Sequence, residues 1–297
     1  MKTKYPLGRQ FGIWAKYTPS LSRGFLRLAA WAMPLLPKGL PRKKVRMARM
    51  DAGGVRAYLI EGRACGKEAP CLVYFHGGGF VFGGAPYHYR NAAAYALGAG
   101  CKVLFAEYPL APAHPFPAPN AACLQVYRFA CTHARELGID GERIAVGGDS
   151  AGGFLAADTV FRAQEAGLAP PCFAMLVYPV IGGGETPSMR RFPDTPMWNA
   201  RLNARMWEYY GGDARLAVPE GSGLQRFPAT YIETAEFDCL HDEGVCFAHA
   251  LGRAGVAVTL NETKGTMHGF DAASKSAAAK QASEARICAL RRAFSEG

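Results

Sequence analysis

Six short apolar runs, Cys71–Phe75, Val103–Tyr108, Arg143–Gly147, Phe173–Tyr178, Ala229–Ala235 and Ala257–Thr263, recur along the chain with stretches of helix length between and after them. Those stretches are Tyr87–Leu97, Asn120–Leu137, Ala151–Ala166, Asp242–Ala254 and Ala272–Phe294. Strands that are apolar without alternation must be buried on both faces, and helices are what cover them. The pattern therefore predicts an α/β fold with a mostly parallel sheet between two helical layers. Ahead of it, Val45–Asp51 and Val55–Ile60 flank Ala52-Gly53-Gly54, a hairpin signal that brings the expected sheet to eight strands. Two regions do not fit the alternation. Residues 1–42 read as helical pieces broken by Pro19, Pro34, Pro37 and Pro41. From about 180 to 227 nothing reads as a strand, although Met197–Tyr210 reads as an aromatic helix, and a long insertion of this kind forms a lid or cap.

The net charge of +10 is unevenly placed. Residues 1–50 hold twelve Lys/Arg and no Asp or Glu, while the remainder holds 22 basic against 24 acidic residues. A solvated basic face, weak attraction to a membrane surface or an anionic substrate, and nucleic-acid binding compete as readings. No nucleic-acid motif supports the last. The basic start MKTKYPLGRQ is followed by no clean apolar stretch, and Phe25–Leu36 contains Arg27 and lacks a small-residue cleavage site. It is also too short to span a bilayer. Nine scattered cysteines, odd in number and without C-x-x-C, are expected to be reduced thiols in a cytoplasmic setting.

Gly148-Asp149-Ser150-Ala151-Gly152 fits G-x-S-x-G, follows a predicted strand and opens a predicted helix. A sharp turn there strains the serine backbone and leaves no room for side chains two residues away, hence the glycines. It also lifts the hydroxyl toward the unpaired N–H groups of a helix N-terminus. A capping serine in a glycine-rich turn is the plain alternative. Trypsin-like proteases share GDSAGG but are all-β and carry their histidine before the serine. Earlier in the chain His76-Gly77-Gly78-Gly79-Phe80 follows the strand Cys71–Phe75. Glycines of this kind turn backbone amides toward an anionic tetrahedral intermediate. A phosphate-binding loop is disfavoured by the absence of a Walker lysine-serine pair. His76 is expected to hold the loop by hydrogen bonds.

HGGG placed about 75 residues before GDSAGG resembles the hormone-sensitive-lipase-like esterases, the bacterial family IV group of the α/β-hydrolase fold. The strings YPLAPAHPFPAP at Tyr108–Pro119, EFDCLHDEG at Glu236–Gly244 and HGF at His268–Phe270 resemble the same family, so the likeness runs from about residue 74 to 270. It implies an α/β-hydrolase fold with a helical cap and oxyanion donors at Gly78, Gly79 and Ala151, with Gly77 as a substitute. Two departures stand out. Ala113 occupies a position that is usually acidic, and the loop Ala214–Gln225 is short.

A serine nucleophile needs a histidine base and an orienting carboxylate, in the chain order Ser, Asp/Glu, His. After Ser150 only His241, His249 and His268 remain. His249 falls inside a predicted helix, whereas His268 lies in a loop just past the last strand, where this fold delivers its base. Among Glu236, Asp238, Asp242, Glu243 and Asp271, Asp238 follows the strand Ala229–Ala235 at the same sheet edge; Asp242 and Glu243 are explained by helix capping and the macrodipole. The expected organisation is an N-terminal helical part of a cap over residues 1–42 and a catalytic domain over 43–297 carrying a cap insertion at about 180–227. The expected activity is carboxylic-ester hydrolysis with short acyl chains favoured, on a small-molecule ester and without a metal or organic cofactor. Phe80, Phe82, Trp198, Trp207 and Tyr210 are candidate pocket residues, and Arg201, Met206 and Tyr209 further cap residues. A deacetylase or amidase on a small acetylated substrate, a non-catalytic binding member of the fold, and a homodimer are left open.

Overall fold

The computed structural model describes residues 4–182, 184–211 and 221–296. Among these, eight strands form one sheet: β1 Val45–Asp51, β2 Arg56–Gly62, β3 Ala69–Phe75, β4 Lys102–Ala106, β5 Ile139–Asp149, β6 Ala174–Val177, β7 Thr230–Phe237 and β8 Val258–Met267. Their spatial order is β1-β2-β4-β3-β5-β6-β7-β8. β2 is antiparallel to both of its neighbours, and every other pairing is parallel. The helices are α1 Arg23–Ala32, α2 Pro86–Ala99, α3 Ala118–Thr132, α4 Ala134–Leu137, α5 Ala151–Glu165, α6 Pro187–Arg191, α7 Ala200–Tyr210, α8 His241–Arg253 and α9 Ala277–Glu296.

The sheet divides two apolar cores. Residues of α3, α5 and α8 fill one, and residues of α2 and α9 the other. Central strands such as β3 are sealed on both faces, which is why Cys71–Phe75 reads as an unbroken apolar run. α5 comes so close to β3 that a Cβ on Gly152 would run into the carbonyl of Phe75, so a helix against the sheet at this depth needs glycine there.

Several boundaries differ from the sequence pattern, among them β5, which starts at Ile139 rather than Arg143. The helix expected over Asn120–Leu137 is two helices, α3 and α4, broken at His133, where the Thr132 hydroxyl bonds back to the Arg128 carbonyl. α9 starts at Ala277 rather than Ala272, because Phe270–Ala272 forms a 3-10 turn. β8 runs on to Met267 through polar residues, since it is an edge strand whose outward positions face water.

The N-terminal segment and the insertion before β7 pack on each other. The Met197 N–H donates to the Tyr17 carbonyl (2.6 Å), the Tyr209 hydroxyl to the Leu21 carbonyl (3.0 Å), and Lys4 and Tyr5 both bind the Asp194 carboxylate. Most of the short loop Ala214–Gln225, residues 214–220, lies outside the described residues.

Candidate active site

Ser150 occupies the turn between β5 and α5 with φ 57° and ψ −120°, a conformation rarely adopted by a non-glycine residue. The flanking glycines explain how it is held: a Cβ at Gly148 would meet the Gly152 backbone. The Ser150 N–H donates to Val177 at the end of β6, and its carbonyl accepts from Val180, Gly153 and Phe154. The strained turn is thus fixed from both sides.

β7 and β8 deliver the other two groups. Their register shifts between Ala235 and Phe237, after which Phe237 stands opposite Met267. The next residues, Asp238 and His268, leave the sheet side by side. The His268 Nδ1–H donates to Asp238 Oδ2 (2.6 Å), and the Ser150 hydroxyl donates to His268 Nε2 (2.8 Å). A carboxylate only accepts, so this pairing puts the imidazole proton on Nδ1 and leaves Nε2 free to take one. Asp238 is fully buried, and its other oxygen accepts the Leu240 N–H (2.9 Å).

Gly78 and Gly79 have φ of 115° and 58°, conformations that favour glycine. The Gly78 carbonyl accepts from both Val81 and Phe82, pinning the loop. Ala151, the first residue of α5, adds a helix-terminal N–H. Gly77 does not fit its expected role as a substitute donor. Its N–H donates inward to Asp149 (3.1 Å), and a Cβ there would strike the same carboxylate.

The model of the alpha/beta hydrolase fold matches residues 72–272. The chain belongs to this family. Esterase LipI of Mycobacterium tuberculosis (strain ATCC 25618 / H37Rv) is 36% identical over 211 residues, 68% of this chain and 66% of LipI. An ethyl acetate hydrolase of Pseudomonas putida is 35% identical over 209 residues, 67% of this chain and 65% of that protein. The chain therefore spans just under two thirds of the length of these two relatives. The crystal structure of esterase LipW from Mycobacterium marinum is similar with a TM-score of 0.88 and 27% identity, covering 97% of this chain and 96% of that one. All agree with membership of the α/β-hydrolase fold family.

The other acids of the chain each have different partners. Glu236 accepts the Gly265 N–H, Glu243 the Ile181 N–H, and Asp242 the Ser188 N–H. Asp271 pairs with the guanidinium of Arg286, which also holds Glu233; all three are buried. Arg286 lies on α9, so this cluster ties that helix to β7 and to the loop that carries His268. Sequence reasoning missed it, because an arginine within a helix reads as a solvated face.

Asp149 was also missed, being the variable position of G-x-S-x-G. It accepts from Tyr74 (2.5 Å), Gly77 and His88 Nε2 (3.1 Å) beneath the glycine loop. His88 Nδ1 accepts the Ala85 N–H (2.8 Å), so its proton sits on Nε2, facing Asp149. Burial alone would raise the Asp149 carboxyl; His88, followed by the Tyr74 hydroxyl, outweighs it and holds the group at about 2. His76 bonds the Gly77 carbonyl (2.7 Å) and stacks on Tyr108, whose hydroxyl reaches the His76 carbonyl (2.6 Å). Burial, and then the neighbouring His88, pushes His76 down to about 4, so it is neutral near pH 7.

The five aromatic candidates separate. Trp198 covers the loop: a Cβ on Gly79 would collide with its ring, which lies 6.2 Å from that of His268. Tyr178 flanks His268 on another side, with ring centres 4.8 Å apart. Phe80 and Tyr210 are fully buried and stacked at 3.9 Å, with Phe154 edge-on, so in this structure they are core and not pocket wall. Trp207 borders that cluster, and half-buried Phe82 packs on Phe25 of α1. A cavity of about 640 Å³ opens behind the glycine loop, between α1 and the segment Glu107–His114. Leu26, Val81, Leu110 and Ala113 are among its lining residues, but none of Ser150, Asp238 and His268 is.

Proposed function

We propose that this hydrolase cleaves small carboxylic esters by two-step acyl transfer at Ser150. The observation that carries the reading is the unbroken hydrogen-bonded line from Ser150 Oγ through His268 to Asp238. His268 Nε2 removes the serine proton as Oγ attacks the acyl carbon, and Asp238 holds the imidazole in the tautomer that allows this. The N–H groups of Gly78, Gly79 and Ala151 receive the developing oxyanion; one such donor is typically worth about 100- to 1000-fold in rate. His268 then returns the proton to the departing alcohol. Water, deprotonated by His268, attacks the acyl-enzyme and releases the acid and free Ser150.

Residues 1–42 and about 180–227 act as the cap over this centre, supported by the hydrogen bonds joining them and by Trp198 above Gly79. A covered site favours short acyl chains, and the name of the Pseudomonas putida relative, an ethyl acetate hydrolase, agrees with that. Nine free thiols support a reducing compartment, the cytoplasm.

The test is hydrolysis of a chromogenic short-chain ester by purified variants. Ser150→Ala and His268→Ala should each reduce turnover by about a thousandfold or more, and the double variant should be little worse, because such groups act as a unit. Asp238→Asn should cost far more than Asp242→Asn. Substantial turnover by Ser150→Ala, or equal losses at 238 and 242, would overturn the assignment.

A further inference from the structure

α1 has two faces of different character. Leu26, its one buried residue, turns inward, and Arg23 and Arg27, both exposed, stand on the flank of the helix at the rim of the cavity beside it. On the opposite arc, successive turns present Phe25, Leu28 and Trp31, and Leu35 in the 3-10 turn that follows continues the stripe. Leu28 is 58% exposed, Trp31 70% and Leu35 69%, so the largest apolar side chains of the segment face outward. An exposed apolar stripe of this size marks a contact surface.

Charge decides what covers it. The stripe lies within the fifty residues that hold twelve Lys/Arg and no acid, while the rest of the chain is close to neutral. Arg23 and Arg27 are exposed and form no ion pair among the described residues. A second copy docking by the same face would set one basic segment against another, and like charges oppose that pairing. An anionic lipid surface suits both features: cations near the headgroups, with aliphatic side chains and a tryptophan at the acyl boundary.

We propose that α1 and the turn after it dock this hydrolase on an anionic bilayer. Leu28, Trp31 and Leu35 enter the interface, with Phe25, which packs on Phe82, at its edge, and Arg23 and Arg27 engage lipid phosphates. The helix lies on the membrane and does not cross it; among the described residues no helix is long and apolar enough to span one. Binding is independent of turnover, so the proposal stands or falls apart from the assignment of Ser150.

The experiment is co-sedimentation of the full chain with vesicles of phosphatidylcholine alone, or of equal parts phosphatidylcholine and phosphatidylglycerol. Tryptophan emission is followed in parallel. The anionic vesicles should bind at least about tenfold more tightly, with a blue shift of emission, and raised salt should weaken binding. Leu28→Glu with Trp31→Glu should reduce binding tenfold or more while keeping the wild-type thermal midpoint, since both side chains are exposed. Arg23→Gln with Arg27→Gln should remove much of the preference for anionic lipid. Trp31→Phe, the mildest change, should bind but lose most of the shift. Equal binding to both vesicle types, no binding, or a dimer in solution that Leu28→Glu dissociates would overturn the proposal.

Discussion

His76 and Asp149 support the glycine loop from below, and both are ionisable groups removed from water. Their effects on stability have the same sign. His76 titrates at about 4 in the fold against an ordinary value near 6.5, so the unfolded chain binds its proton first. The stabilisation is present above pH 6.5 and is lost as pH falls toward 4, to a total of about 3 kcal/mol. Asp149, held at about 2, acts lower: its contribution is present above about pH 4 and fades as pH falls through 2. Unfolding free energy measured by denaturant titration should therefore decline between pH 6.5 and 4 in the wild type. His76→Asn, which keeps a hydrogen-bonding side chain without the titration, should flatten that decline. An unchanged slope would show that His76 is solvated. At this scale the sequence was legible where chemistry fixes the residue type. Ser150, His268 and Asp238 stand out from strings and chain order, and the structure brings those three side chains together. Asp149 does not stand out, because what it does depends on Tyr74 and His88, which are brought to it only by folding.

Strand register and helix anchoring set where those residues point. The shift in β7 lets Asp238 leave the sheet beside His268. The position of His268 depends in turn on the short turn Phe270–Ala272, which Arg286 fixes from α9 through Asp271. Removing one member of a buried ion cluster leaves unpaired charge, at a cost of about 3–5 kcal/mol. Arg286→Met should lower stability by that amount in chemical denaturation. Adding Glu233→Gln and Asp271→Asn should recover most of it, because the uncompensated charges are then gone. If the triple variant is no better than the single, the guanidinium matters as packing and not as a charge. Elements with a strong apolar pattern were readable to within a few residues, as for β3 and α5. The end of β8 and the start of α9 were not: polar residues on an edge strand and a turn held by a distant arginine leave no local periodicity.

On the scale of the whole molecule, the proposed reacting groups come from the sheet and their proposed covering from elsewhere. The chain from β3 to the loop after β8 supplies the glycine loop, Ser150, Asp238 and His268. The covering, as proposed, comes from the segment before β1 and from the insertion before β7. The proposed covering sets an expectation for chain length. Each methylene of the acyl group gains about 0.8 kcal/mol while it finds apolar wall, and beyond that it strains the packing by about 1–3 kcal/mol. Catalytic efficiency across acetyl, butyryl, octanoyl and palmitoyl esters should rise and then fall steeply; best cleavage of palmitoyl would show that long chains reach space such as the cavity under α1. The division of labour between sheet and covering also bears on ancestry. α1, α6 and α7 contribute no member of the hydrogen-bonded line from Ser150 through His268 to Asp238, so mutations in them leave the sheet-borne hydrogen bonds in place. On the proposed reading, a lineage built on this plan exchanges one diet of esters for another through a series of active intermediates, because inheritance of the reaction and inheritance of the preference are written in different stretches of the chain.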